Sequence, residues 1–169
     1  MSTTLLRIVV TDANVLINLM HVSRLGLLAK IPNHEFVVPE HVREEITSPE
    51  QRATLDAAVS DGWLKIEIIT DLGVLTVFTE LIEHIGRGEA ACIAIAAKEG
   101  WFIASDEKKR FLREATARVG AGHVLTTVDV FVLAIKAGLL TIEDADADKA
   151  TLEGRRFKVS FASFREVVK

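Results

Sequence analysis

The amino-acid sequence predicts an α/β fold, a three-layer α/β/α sandwich around a mostly parallel central sheet. Three observations predict it. Short apolar, β-branched runs are separated by helical stretches of about ten or more residues, as crossovers between parallel strands require. Hydrophobic residues make up 49% of the 169, with mean hydropathy +0.28, which suits a sheet covered on both faces. Two of the runs also end alike, in a small hydroxyl residue followed by aspartate: Thr11-Asp12 and Ser105-Asp106.

In chain order, Leu5 to Val10 reads as a central strand. From Ala13 to about Lys30, Val15, Leu16, Leu19, Val22, Leu25 and Leu28 recur at helical spacing, as two helices. Pro32-Asn33-His34 is a turn before a strand at Phe36-Val37-Val38, and Pro39 suits the first position of a helix to about Thr47. Ser48-Pro49-Glu50-Gln51 is a capping box that opens another helix, ended by Gly62. Leu64 to Ile69 alternates as a strand, and Val74 to Ile85 places its apolar residues on one helical face. Gly86-Arg87-Gly88 breaks that helix, Glu89 opens the next, and Gly100 closes it. Trp101 to Ala104 is a strand. Helices follow over about 106–118 and 127–137, stopped by Gly120 and Gly138, and Thr141 caps a last acidic helix to about Leu152. The tail from Arg155 carries no clear pattern. There is no repeat or linker, so residues 1–169 read as one domain, with a core over about 6–140 and a C-terminal extension over about 141–169.

Net charge is −4 with a pI of about 5.7, so the field of the whole molecule does not attract a polyanion, and nucleic acid binding would need a local basic patch or bound cations. A single cysteine excludes an internal disulfide. Met1-Ser2-Thr3-Thr4 has no basic leader character, and Leu5 to Val10 is too short to cross a bilayer, so the expectation is a cytoplasmic protein. Phosphate-loop, nucleophile-elbow and dinucleotide motifs are absent, and no two of the five histidines stand at metal-ligand spacing.

Acids in special places remain. Asp12 follows the first strand, where the functional crevice of a parallel sheet lies; as an isolated residue it equally well caps the next helix. Asp106 repeats the arrangement, with Glu107 beside it able to share or replace its role. Like charges at one sheet edge raise a pKa unless a cation intervenes. Glu89 opens an almost wholly apolar helix, at the mouth of the core. In His41-Val42-Arg43-Glu44-Glu45-Ile46, a solvated helix surface explains either glutamate taken alone. With Val42 and Ile46 on the buried face, Glu45 lies about 100° from Ile46 and Glu44 about 200°, which favours Glu45 as the acid on the site side, with Glu44 as the alternative.

These segments together resemble the PIN-domain family, and within it the prokaryotic toxin-like branch. The stretches that carry the resemblance are Val9 to Ile17, Val37 to Ile46, Arg87 to Ala96 and Phe102 to Asp106, followed by a helical segment from Leu125 to Leu140. The resemblance implies a ribonuclease dependent on Mg²⁺ or Mn²⁺, in which Asp12, Glu45, Glu89 and Asp106 form the catalytic and metal-binding quartet. Asn14 and Ser105 would support it, and Lys108, Lys109, Arg110 and Arg113 would contact RNA. Partners implied are RNA, an antitoxin protein and a second copy of the chain. The alternatives are a catalytically silent PIN-like scaffold or, lower, a metal-dependent phosphatase. The phosphatase pattern wants a second aspartate where Asn14 stands.

Overall fold

The structure is a computed structural model and describes residues 5–169; Met1 to Thr4, examined above for leader character, lie outside the described residues. Five strands form one parallel sheet: β1 (Arg7–Thr11), β2 (His34–Pro39), β3 (Lys65–Glu67), β4 (Phe102–Ala104) and β5 (Val124–Leu125), in the order β3-β2-β1-β4-β5. Helices α1 (Ala13–His21), α2 (Glu40–Glu45), α3 (Pro49–Ser60), α4 (Leu72–Leu81), α5 (Arg87–Glu99), α6 (Lys109–Val119), α7 (Thr127–Lys136) and α8 (Ile142–Glu153) connect the strands and complete the chain. The predicted α/β/α sandwich is therefore what forms. No helix among the described residues is long and apolar enough to cross a membrane.

The connectivity decides where a site can lie. From β1 the chain steps outward to β2 and β3, then returns to the other side of β1 for β4 and β5. The order reverses between β1 and β4, and the crevice beyond their C-terminal ends is the place such sheets offer a ligand. Val9 and Val10 in β1, Val38 in β2 and Ile103 and Ala104 in β4 are fully buried, as strands covered on both faces should be. Helix α5 packs on α2, α4 and α6 and on β1, β2 and β4. Its residues Ala90 to Ala96 are all buried, and the run of alanines lets it sit close to the sheet.

Several boundaries differ from the sequence reading, each for a local reason. Strand β1 begins at Arg7, because Leu5 and Leu6 are 82% and 57% exposed and cover nothing. Residues 25–29 form a 3-10 turn rather than an α-helix; Ser23 takes a positive φ that stops α1. Pro39 is the last residue of β2 and the N-cap of α2, not its first helical residue. Helix α4 starts at Leu72 because the Asp71 side chain accepts from the Val74 N–H at 3.0 Å. Glu89 is the third residue of α5, which starts at Arg87 with Gly86 as its cap. Helix α6 starts at Lys109, so Ser105 to Lys108 is loop. Leu125 belongs to β5, a strand the helical pattern hid: two residues carry no readable alternation. Within residues 15–28, Val15, Leu16, Leu19, Leu25, Leu27 and Leu28 are buried in the chain's own core. The tail folds back: Phe164 is fully buried, 5.5 Å from the Phe131 ring of α7.

Candidate active site

Asp12 and Ser105 face each other across the β1–β4 crevice. The Asp12 N–H donates to Ala104 O at 2.9 Å, which extends the ladder one residue past the end of β1. The Asp12 carboxylate is only 2% exposed. One oxygen caps α1, accepting from the Ala13 N–H at 2.9 Å, and the other accepts from the Ser105 hydroxyl at 2.9 Å. The two readings that the sequence left open, helix cap and crevice acid, are both realised by one residue. Burial pushes its carboxyl up to about 6; the Ala13 and Ser105 bonds oppose this, and the negative charges of Glu45 and Glu107 add to it.

Glu45 reaches the same region from α2. Its Oε1 accepts from the Gly88 N–H in the first turn of α5 at 2.8 Å. The contact needs glycine: a Cβ on Gly88 would lie 2.5 Å from Oε2 and 2.7 Å from Oε1. Of the two adjacent glutamates, both exposed, Glu45 is the one whose carboxylate contacts α5. Glu44 is exposed, and its charge acts on Arg43 instead.

Glu89, half-buried in the first turn of α5, bends back onto the Gly86 N–H. Its carboxyl is pushed up to about 7, first by burial, then by the charges of Asp12 and Glu107, with Glu45 adding; the Gly86 bond opposes them. Beneath lies Cys92, fully buried one turn along α5. Its thiol is pushed well up by burial and by the charges of Asp12, Glu45 and Glu89. The charges of Glu45 and Glu107 therefore act on both Asp12 and Glu89, and that of Asp12 on Glu89, at the sheet's C-terminal edge.

Asp106 is placed differently from expectation. It lies at the same edge, yet its oxygens are taken by other partners. Oδ1 accepts from the Thr127 N–H at 2.7 Å, and Oδ2 accepts from the Thr127 hydroxyl at 2.5 Å and the Asn18 amide at 2.9 Å. Thr127 is the first residue of α7, whose N-cap Thr126 forms a reciprocal capping box with Asp129. Asp106 is not among the charges that raise Asp12 or Glu89, whereas the neighbouring Glu107 raises both.

The expected supporting residues connect these groups. Ser105 donates to Asp12 while its Oγ accepts from the Glu107 N–H at 3.2 Å. Asn14 accepts from the Asp106 N–H at 3.1 Å and donates to Glu107 Oε1 at 3.3 Å. Sequence reasoning passed over Gly88, Asn18 and Thr127. Asn18 alone left a signal, a polar residue one turn after Asn14 on an otherwise apolar helix. Lys108, Lys109, Arg110 and Arg113 are all exposed and in no ion pair among the described residues.

A family model, DUF3368, described as a PIN domain, matches residues 8–169. The chain belongs to the PIN-domain family. The match runs through the tail beyond residue 140, further than the sequence resemblance reached. A comparison with curated proteins finds no match. PIN domains are nuclease-type folds that generally use divalent metal ions, and the donor chemistry here suits such ions. The four carboxylates are hard oxygen donors, and two have pKa values raised in the way that a bound cation would reverse. As they stand, no three His, Cys, Asp or Glu side chains among the described residues are close enough to hold an ion together. Glu45 and Glu89 instead satisfy the backbone of the PIN domain's own α5, and side-chain rotation would be needed to turn them to a cation.

Proposed function

We propose that this PIN domain is a divalent-metal-dependent ribonuclease, with Asp12, Glu45, Glu89 and Glu107 as the acids that hold Mg²⁺ or Mn²⁺. One observation carries the reading: at the switch point of the sheet a nearly fully buried aspartate is raised first by its burial and then by the charges of Glu45 and Glu107 beside it. When bound, the ion supplies Lewis-acid polarisation of a phosphodiester and lowers the pKa of a coordinated water. Asp12 is held by the Ala13 N–H and the Ser105 hydroxyl, so its free lone pairs have a fixed direction. Glu89, with a carboxyl near 7 in the metal-free protein, can hold or release a proton at neutral pH. The exposed run Lys108, Lys109, Arg110 and Arg113 lies just beyond Glu107 and supplies phosphate contacts for an otherwise acidic protein.

The toxin role, a cytoplasmic location, an antitoxin partner and a homodimer belong to the same proposal and rest on the resemblance alone. A short antitoxin reading frame beside the gene would support the first. The deciding experiment incubates the protein with structured RNA, with Mg²⁺, with Mn²⁺ and with EDTA. Cleavage that needs either ion and disappears in Asp12→Asn supports the reading. RNA binding without cleavage under every condition would favour the silent scaffold.

A further inference from the structure

The second strand-end aspartate is held by three hydrogen bonds from two other helices. Both Asp106 oxygens are engaged, one by the Thr127 N–H and the other by the Thr127 hydroxyl and the Asn18 amide, while its own N–H donates to Asn14. These bonds join the Ser105–Lys108 loop to α1 and to the first residue of α7. Glu107 hangs from the same loop by two weaker contacts, its N–H on Ser105 Oγ at 3.2 Å and its Oε1 on Asn14 at 3.3 Å. Its side chain is exposed, so nothing else packs it in place. We infer that Asp106 is a positioning residue: it clamps the loop between α1 and α7, and the clamp sets Glu107 against Asp12 and Glu89.

Three of the roughly four acceptor sites of this carboxylate hold Asn18 and the start of α7, so its main task is to tie those elements to the loop. An exposed glutamate on a loop samples many rotamers unless its backbone is fixed. Asp106 fixes it, through groups on two other elements, and Asn14 lies in both networks. Thr127 is fully buried, so the clamp is shielded from competing water.

This inference rests on the ribonuclease reading, and the test separates the two. Asp106→Ala, Asp106→Asn, Glu107→Gln and the Asp106→Ala/Glu107→Gln double variant are compared for Mg²⁺-dependent RNA cleavage. Supporting partners of metal ligands typically contribute 10–100-fold, so Asp106→Ala should lose about that much kcat/KM. The double variant should then fall no further than Glu107→Gln, because Asp106 acts through Glu107. Asp106→Asn should recover most of the loss, since its amide can keep Thr127 while Asn18 turns over to accept. Losses that multiply in the double variant, or an Asn variant as poor as the Ala variant, would show that Asp106 itself binds the ion. A second readout needs no activity: amide exchange in the metal-free protein. Asp106→Ala should speed exchange at Glu107 N–H as well as at Thr127 N–H. Unchanged exchange at Glu107 overturns the inference even if the protein cleaves no RNA. Should Asp106→Ala not fold, Thr127→Val weakens the same clamp and carries the same comparison with Glu107→Gln.

Discussion

Replacing Asp12 by asparagine should make the metal-free protein more stable and the metal-loaded protein inactive. Asparagine is a near-isosteric, neutral stand-in for the protonated acid. The Asp12 carboxyl rises from 3.8 to about 6 on folding, and each unit corresponds to about 1.4 kcal/mol, so ionised Asp12 costs the fold about 3 kcal/mol. The sign follows from the direction of the shift. A raised folded pKa means the penalty is absent below about pH 4, where the unfolded carboxyl is also protonated. It is complete once pH has risen past the folded value of about 6. Asparagine must present an N–H to Ser105 where the carboxylate accepted one, and realigning that bond removes about 1 kcal/mol of the gain. The remainder, about 2 kcal/mol, should raise the melting temperature by about 4–8 °C for a chain of this size. Thermal unfolding followed by circular dichroism in EDTA, at pH 8 and at pH 4, reads this out, with the difference confined to pH 8. In saturating Mg²⁺ the order should reverse, because only the wild type gains the binding energy. Destabilisation by Asp12→Asn at pH 8 in EDTA would refute the reasoning: the charge would then be a net favourable cap, and the crowding of carboxylates would not govern the residue.

Gly88→Ala should leave the fold intact, since alanine is the better helix former by about 1 kcal/mol and only the mobile end of Glu45 must move. Metal-dependent cleavage should still fall at least tenfold, and unchanged cleavage would disconnect Glu45 from the site. In the same assay Glu45→Gln should cost far more activity than Glu44→Gln, because Glu45 binds the start of α5 and Glu44 faces solvent; a loss only at Glu44 would reverse the assignment. Neutralising Lys108, Lys109, Arg110 and Arg113 together should weaken RNA binding and flatten its salt dependence by up to about three units of log–log slope, at about 0.7 per phosphate contact. An unchanged slope would place the RNA elsewhere.

Asp12 and Glu45 were legible in the sequence because each is tied to a periodic pattern: a buried strand sets the first, and the Val42–Ile46 spacing sets the second. Asp106 shows where that reasoning stops. The strand end located the loop correctly, but which of two adjacent acids turns toward Asp12 depends on Thr127, twenty-one residues on in the chain. Nothing local announces that partner. Strand β5 was missed for a related reason, since a two-residue strand is defined by its pairing with Ile103 and Ala104 rather than by its own composition. Glu89 was found through its apolar helix, while the two residues of α5 before it were lost because glycine and arginine there read as a break.

Cys92 has a practical consequence. It is the chain's one thiol, kept protonated first by its complete burial and then by the charges of the carboxylates that crowd the site. An alkylating reagent needs the thiolate and needs access to it, and the native state denies both. The rate at which the protein takes up such a label therefore clocks how often α5 leaves the sheet. A cation that settles the acids above it should slow that clock, which makes one cysteine a dye-free gauge of metal occupancy.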